Sequence, residues 1–262
     1  MSCKKILCFD LDMTLLDHKT YRISNKVLLA LEKLQQDGYL VVIATGRDMD
    51  TEFSRAFAKQ IAPDAIVHSN GQKVVVGEEI IREVFMDREL IKNLVNFAEE
   101  NQLCIGYTIG DCGCYVNHEI IEEHEKEFFG QSDRQYLEAS NLLTHPFYAL
   151  AYFGGEEGAR KIQQAFPEVK MPMFADKFGA DIITRDVSKA NGIQALLDHY
   201  QKDWSDVIAF GDSMNDYEMI VQAGTGVAMG NAVAALKEAA DYVTLSVEED
   251  GVYHALEHLG LI

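Results

Sequence analysis

"DVIAFGDSMND" (206–216) is the stretch on which the reading of this chain turns. It starts as an apolar run, passes a glycine, and ends with Asp212, Asn215 and Asp216 inside five residues. A short apolar run of this kind suits a strand covered on both faces. Polar residues just past such a strand lie where open α/β sheets gather their ligands. Carboxylates this close repel one another unless something positive sits among them.

The same grammar recurs outward from that stretch. "KKILCF" (4–9), "YLVVIA" (39–44), "DAIVHS" (64–69) and "TGVAM" (225–229) read as further buried strands. Between them lie amphipathic segments. "NKVLLALEKLQQDG" (25–38) sets Val27, Leu28, Leu31 and Leu34 on one face and runs into a capping glycine, Gly38. "KANGIQALLDHYQ" (189–201) and "MNDYEMIVQAG" (214–224) behave alike. Strands alternating with helices predict an α/β fold with a doubly wound parallel sheet, Rossmann-like in plan.

Residues 82–182 break the rhythm. A helix (87–102) is followed by a hairpin around Gly110 to Gly113, then by strand, helix and a strand pair through 147–184. This predicts an α+β cap domain (82–182) inserted into a core made of 1–81 and 183–262. The insert holds nine Lys and Arg against eighteen Asp and Glu, so it is the more acidic part for its length.

Composition narrows the partners. The net charge of −19 repels nucleic acid and anionic membranes, so neither is expected as a partner. An anionic ligand would need positive charge supplied by its own site. The five cysteines show no zinc spacing, and no apolar run approaches the 18 residues of a membrane span. The apolar stretch that precedes Asp10 is too short for a leader core. A cytoplasmic protein, monomeric or a small homo-oligomer, is expected.

The residues past the strand ends form the candidate site: Asp10, Asp12, Thr45, Gly46, Arg47, Asn70, Asp212, Asn215 and Asp216. "DLDMT" (10–14) puts two carboxylates two residues apart, and extended backbone there would aim both the same way. Joined by Asp212, they make an oxygen-only cluster suited to Mg²⁺, with no His or Cys to favour zinc. Capping of a turn is the alternative reading of that pair. "ATGR" (44–47) offers a hydroxyl and a glycine amide to phosphate oxygens, or is an ordinary turn. Arg47 is either an aid there or a solvated side chain. "SKANG" (188–192) brings Lys189 into the core where carboxylates and an anionic ligand need a cation. His68 follows a strand and could line the site, while the remaining histidines read as surface or core.

Taken in order, "FDLDMTLL", "ATGR", "SKANG" and "GDSMND", with "VHSNGQ" (67–72) and "GVAMGNA…ADYVT…EEDGV" (226–252), resemble the motifs of Cof-type haloacid dehalogenase-like hydrolases. The resemblance spans the core from end to end and the cap in placement only. Met13 departs from it, since the family most often has glycine there.

The resemblance implies a Mg²⁺-dependent phosphatase acting on small phosphorylated metabolites, sugar phosphates foremost, through an aspartyl-phosphate. By motif, Asp10 would be the nucleophile and Asp12 the general acid and base. Asp10, the backbone carbonyl of Asp12 and Asp212 would hold Mg²⁺. Leu11, Thr45, Gly46, Lys189 and Asn215 would bind the phosphate, and Asp216 would orient Lys189 or a metal-bound water. Thr14 would anchor the loop. A phosphomutase and a receiver-like phospho-acceptor are the alternatives. Few arginines in the cap speak against the first, and the chain's length speaks against the second. An acidic cap suits a neutral, hydroxyl-rich leaving group, and "GDCGC" (110–114) and "MFADKFGAD" (173–181) are its candidate contacts.

Overall fold

A computed structural model describes residues 4–109, 112–129, 135–173 and 178–262. The chain divides into two compact units, Met1–Glu83 with Val187–Ile262, and Val84–Asp186.

The first unit is built on an eight-stranded sheet. Its order is Tyr242–Val243, Thr225–Ala228, Val207–Gly211, Ile6–Phe9, Leu40–Ala44, Ala65–His68, Lys73–Val76 and Glu79–Glu83. The first six strands run parallel, and the last two turn antiparallel at one edge. From Ile6–Phe9 the chain winds outward through Leu40–Ala44 to Ala65–His68. It later returns to the other side of Ile6–Phe9 as Val207–Gly211. The switch in strand order therefore lies between the strands that precede Asp10 and Asp212, where such sheets open a crevice. The sheet is parallel only in part, because "KVVV" (73–76) follows a tight turn and can reach its neighbour only by folding back as an antiparallel ribbon.

Both strands at the switch point are wholly buried, as their unbroken apolar sequence requires. Phe9 and Phe210 pair in register and stack at 4.6 Å between ring centroids, directly below the two acidic turns. Burying aromatic rings of this size contributes a few kcal/mol, roughly 1.5–3 each. The stack thus pins the strand ends that carry the site.

Helix Asn25–Gln36 buries Val27, Ala30, Leu31 and Leu34, with Leu28 half-buried at the margin. Its start is capped by Ser24, which accepts from the Lys26 amide, and Gly38 takes the left-handed conformation just past its end. Helix Lys189–Tyr200 is capped by Ser188, whose hydroxyl accepts from the Asn191 amide. Its Gly192 lies against Gly71: a Cβ on Gly192 would fall 2.7 Å from Gly71 Cα. Gly71 itself has φ +92°, and a Cβ there would fall 2.1 Å from the Ser188 carbonyl. Two glycines thus let the turn after Ala65–His68 touch the start of this helix, which seats Lys189.

The second unit carries a six-stranded sheet, ordered Gln135–Tyr136, Cys112–Val116, Cys104–Ile109, Leu150–Phe153, Ala180–Thr184 and Val169–Lys170. Helices Arg88–Glu100, Glu119–Phe129 and Glu156–Ala165 accompany it, and a separate apolar core is built from Ile91, Leu94, Leu150, Ile162 and Ile182 among others. The unit begins after Glu83 and ends at Asp186, not at 82 and 182. Strand Glu79–Glu83 pairs with the first unit's edge, and Ala180–Thr184 pairs with Leu150–Phe153, so sheet hydrogen bonds move both boundaries. Within the two stretches expected to touch substrate, residues 110, 111 and 174–177 lie outside the described residues. Among the described residues no helix is long and apolar enough to cross a membrane.

Candidate active site

The site grows from the turns after four parallel strands of the first unit. Past Ile6–Phe9, the Asp10 amide donates to the Phe210 carbonyl at 2.9 Å and so continues the pairing one residue beyond the strand. Past Val207–Gly211, the chain turns through Asp212 and Ser213 into a short helical turn at Met214–Asp216. Gly211 has to be glycine here, because a Cβ would lie 2.5 Å from both Cβ and Cγ of Asp216. That missing side chain lets Asp216 tuck back under its own turn. Its Oδ2 then accepts from the amides of Asp212 and Ser213, each at 3.0 Å.

Lys189 closes the cluster. Its Nζ donates to Asp10 Oδ1 and to Asp216 Oδ1, both at 2.6 Å, and its side chain is 0% exposed. Asp216 therefore has both carboxylate oxygens occupied by protein donors. Burial opposes charge on the lysine, but Asp10 and Asp216 outweigh it and hold the ammonium above its ordinary range.

Carboxylate oxygens of Asp10, Asp212 and Asp216 lie within 4.8 Å of one another. If all three are ionised, a single ammonium leaves two negative charges unmatched in a buried place. The titration follows from that. Burial, then the charges of Asp216 and Asp212, push Asp10 well above the carboxylate range despite Lys189. Burial and Asp216 push Asp212 up to about 7. A cluster that resists ionisation while built from hard oxygen donors fits a divalent ion such as Mg²⁺, which would match the missing charge. Asp10 and Asp212 have oxygens to offer it; those of Asp216 are spent on Lys189 and the turn.

Asp12 goes elsewhere. Its carboxylate is held as a fork by Arg47, with Nε to Oδ2 at 2.7 Å and Nη2 to Oδ1 at 2.6 Å. His18 Nε2 meets Oδ1 at 2.6 Å as well. Burial works to raise this carboxyl, yet Arg47 and His18 overcome it and hold Asp12 below the usual range. Asp10 and Asp12 meet different cations, Lys189 and Arg47, and the strand whose alternation would have set both side chains stops at Phe9. Among side chains the three-carboxylate cluster includes Asp216 in place of Asp12.

The phosphate-binding candidates gather beside these groups. Thr45 is fully buried, and its Oγ1 accepts from the Arg47 amide at 3.1 Å, which leaves the hydroxyl proton to donate. A Cβ on Gly46 would stand 3.2–3.4 Å from the side-chain amides of Asn70 and Asn215, so glycine keeps this corner open. Asn215 Nδ2 donates to Asn70 Oδ1 at 3.1 Å, joining turns 145 residues apart. Asn70 reaches this place through a backbone run with φ of +52°, +55° and +92° at Ser69, Asn70 and Gly71. Left-handed backbone at a non-glycine residue costs roughly 1–2 kcal/mol, and such strain collects at functional turns.

Three further residues shape the site from below. Leu11 is buried in the core and its carbonyl accepts from the Leu15 and Leu16 amides, so a phosphate contact from this residue falls to its main-chain amide. Thr14 does not anchor the loop through its hydroxyl, which is buried without a hydrogen-bond partner. His68 is buried, its Nδ1 accepts from the Met49 amide at 3.3 Å, and burial lowers its basicity. It braces the turn after "ATGR".

Two contributors were not legible in the sequence. His18 sits on a surface hairpin with no motif around it. Asn231, inside "GNA", donates to the Met13 carbonyl at 2.9 Å and accepts from the Val247 amide at 2.9 Å. It secures Met13 at φ +58°, a conformation natural to glycine, in the acidic turn.

Residues 7–256 match the family model for haloacid dehalogenase-like hydrolases. YkrA of Bacillus subtilis (strain 168) is 33% identical over 267 residues, 98% of each chain. YitU of the same organism, named a 5-amino-6-(5-phospho-D-ribitylamino)uracil phosphatase, is 28% identical over 275 residues, 96% of each. Among solved structures, the phosphatase BT1666 of Bacteroides thetaiotaomicron superposes with a TM-score of 0.90 at 26% identity, covering 100% of this chain and 97% of that one. The subclass IIB sugar phosphatase BT4131 superposes with a TM-score of 0.84 at 27% identity, covering 98% and 100%. With its acidic turns and buried lysine at the switch point of the sheet, the chain belongs to the haloacid dehalogenase-like hydrolases, as a phosphatase of their Cof-type branch.

Proposed function

We propose that this phosphatase is Mg²⁺-dependent and hydrolyses phosphomonoesters of hydroxyl-rich carbon chains, sugar phosphates foremost, through an aspartyl-phosphate on Asp10. The observation that carries the reading is the bridge of Lys189 between Asp10 and Asp216, with Asp212 alongside. It is a buried nucleophile candidate with one fixed cation and a shortfall of positive charge. Mg²⁺ held by Asp10, the Asp12 main-chain carbonyl and Asp212 would supply that charge and let a phosphate dianion approach a carboxylate.

The chain's own groups do the rest. Lys189 holds Asp10 Oδ1, fixing the orientation of the carboxylate that attacks phosphorus. Thr45 Oγ1, the Gly46 amide and Asn215 bind the non-bridging oxygens as negative charge shifts onto them. The substrate's negative charge, arriving beside the Asp12 carboxylate, favours its taking up a proton from the surrounding water. The P–O bond to the leaving group breaks, and Asp12 gives that proton to the departing oxygen. Asp12, again a carboxylate, takes a proton from the water that attacks the acyl phosphate. The P–O bond to Asp10 then breaks, and inorganic phosphate leaves.

The substrate class rests on two supports. The names of YitU and BT4131 point to a ribityl chain and to sugars, and both carry phosphate on polyhydroxylated carbon. The inserted unit, which we assign the choice of leaving group, is acidic and suits a neutral partner better than a polyanion. Turnover should be measured against a panel of sugar, polyol and nucleoside phosphates, with Mg²⁺ and with EDTA. Higher kcat/KM for nucleotides than for hexose or pentitol phosphates would remove the substrate assignment. Full activity in EDTA would remove the metal.

A further inference from the structure

We infer that His18 is a positioning residue for Asp12, selecting which oxygen of that carboxylate exchanges the proton with the leaving group; this rests on the acid–base role proposed for Asp12. A carboxylate oxygen has two in-plane lone pairs. Oδ1 of Asp12 receives Arg47 Nη2 and His18 Nε2, each at 2.6 Å, so both of its lone pairs are taken. Among the described residues Oδ2 receives only Arg47 Nε, at 2.7 Å, and keeps one lone pair. Arg47 donates to both oxygens in the fork geometry of a guanidinium on a carboxylate, which has no proton to give, so His18 is the donor in its contact. Arg47 alone would grip the two oxygens symmetrically and leave them equivalent. The third donor makes them unequal, and Oδ2 becomes the oxygen that carries and returns the proton.

The hairpin that bears His18 is built to hold it still. Leu16–Asp17 pairs with Arg22–Ile23, and Leu16 and Ile23 are buried in the core. Within the turn, Asp17 accepts from the Lys19 amide and the Thr20 hydroxyl, both at 2.8 Å. The Tyr21 ring stacks on the imidazole at 5.7 Å and 4° between planes. Tyr21 in turn meets Phe53, and the Arg47 guanidinium lies over Phe53 and Phe57 at 5.5 and 5.6 Å. The histidine and the arginine that fix Asp12 are thus braced through one aromatic series, which reaches from the hairpin to helix Glu52–Ile61.

Leaving-group dependence separates this role from a merely structural one. An alkoxide needs a proton to depart, whereas p-nitrophenolate scarcely does, and kcat/KM reports the step in which the leaving group departs. The test compares glucose 6-phosphate with p-nitrophenyl phosphate in wild type, His18→Ala, His18→Gln and Asp12→Asn. With His18→Ala, kcat/KM should fall about 10- to 100-fold on the sugar phosphate and less than about threefold on the aryl ester, the scale of one hydrogen bond to a charged group. His18→Gln, which can donate from its amide, should recover most of the loss. Equal losses on both esters, no loss on the sugar phosphate, or a Gln variant as poor as Ala would each overturn the assignment. If Asp12→Asn also treats both esters alike, the acid–base role itself falls. A wild type inert toward every monoester would instead overturn the proposed function.

Discussion

Asp10 and Asp12 stand two residues apart, yet one is enclosed with Lys189 while the other keeps 29% of its side chain exposed between Arg47 and His18. Burial and neighbouring carboxylates raise the first; an arginine fork and a histidine, against a smaller burial, lower the second. One turn thus holds two carboxyls that their surroundings push in opposite directions, Asp10 up and Asp12 down. The contrast also separates two kinds of ion pair, one buried beyond the reach of salt and one partly screened by water.

Breaking the buried side has the largest expected effect. Asp10→Asn should lower turnover by about 10⁴-fold or more while circular dichroism stays native, since the covalent route is gone. Ordinary turnover in that variant would end the nucleophile assignment. Next comes Lys189→Met. It leaves Asp10 and Asp216 buried without their cation, which costs about 3–5 kcal/mol of stability. It should also lower kcat/KM by about 10²- to 10³-fold, the scale of one lost electrostatic stabiliser. A melting temperature unchanged from wild type would show that the two carboxylates pair with something else.

Metal and pH sharpen the comparison on the same side. In metal-free protein the Asp212 carboxyl is pushed up to about 7, so the folded chain keeps a proton there that the unfolded chain releases above about 4. The stability from that proton is full below the lower value and is lost as pH rises through the higher one. In EDTA, denaturant midpoints should fall between those values, and Asp212→Asn should flatten the fall. At pH 7, Mg²⁺ at a hundredfold excess over its Kd should restore about 2.7 kcal/mol in wild type and little in that variant. The smallest effect belongs to the half-exposed side. Arg47→Met removes a cation, as Lys189→Met does, but water remains to solvate Asp12, so stability should drop by about 1 kcal/mol or less. A loss as large as that from Lys189 would mean the two ion pairs are alike after all.

Much of this was legible locally. The runs ending at Phe9, Ala44, His68 and Gly211 announced their strands, because a strand covered on both faces has to be apolar throughout. The glycine opening "GDSMND" signalled a tight turn, and the turn exists because Asp216 folds back onto Gly211. Position after a strand end picked out Asp10, Thr45, Asn70 and Asp212 without any knowledge of their partners.

Partners were legible in part: Lys189 was expected among the carboxylates and beside Asp216, while its bridge to Asp10 was not. Lys189 reaches Asp10 across 179 residues, and nothing near either residue encodes that distance. It is set by the order of strands at the switch point and by the approach of Gly192 to Gly71. The separate fate of Asp12 depends on where the strand stops, and His18 matters only because a hairpin without a motif folds over that carboxylate. Sequence by itself determined which segments are buried and where polar residues leave the sheet, since both follow from neighbours along the chain. Only the tertiary structure decided which charges meet, because electrostatic energy depends on separation in space, and folding sets that separation independently of distance along the chain.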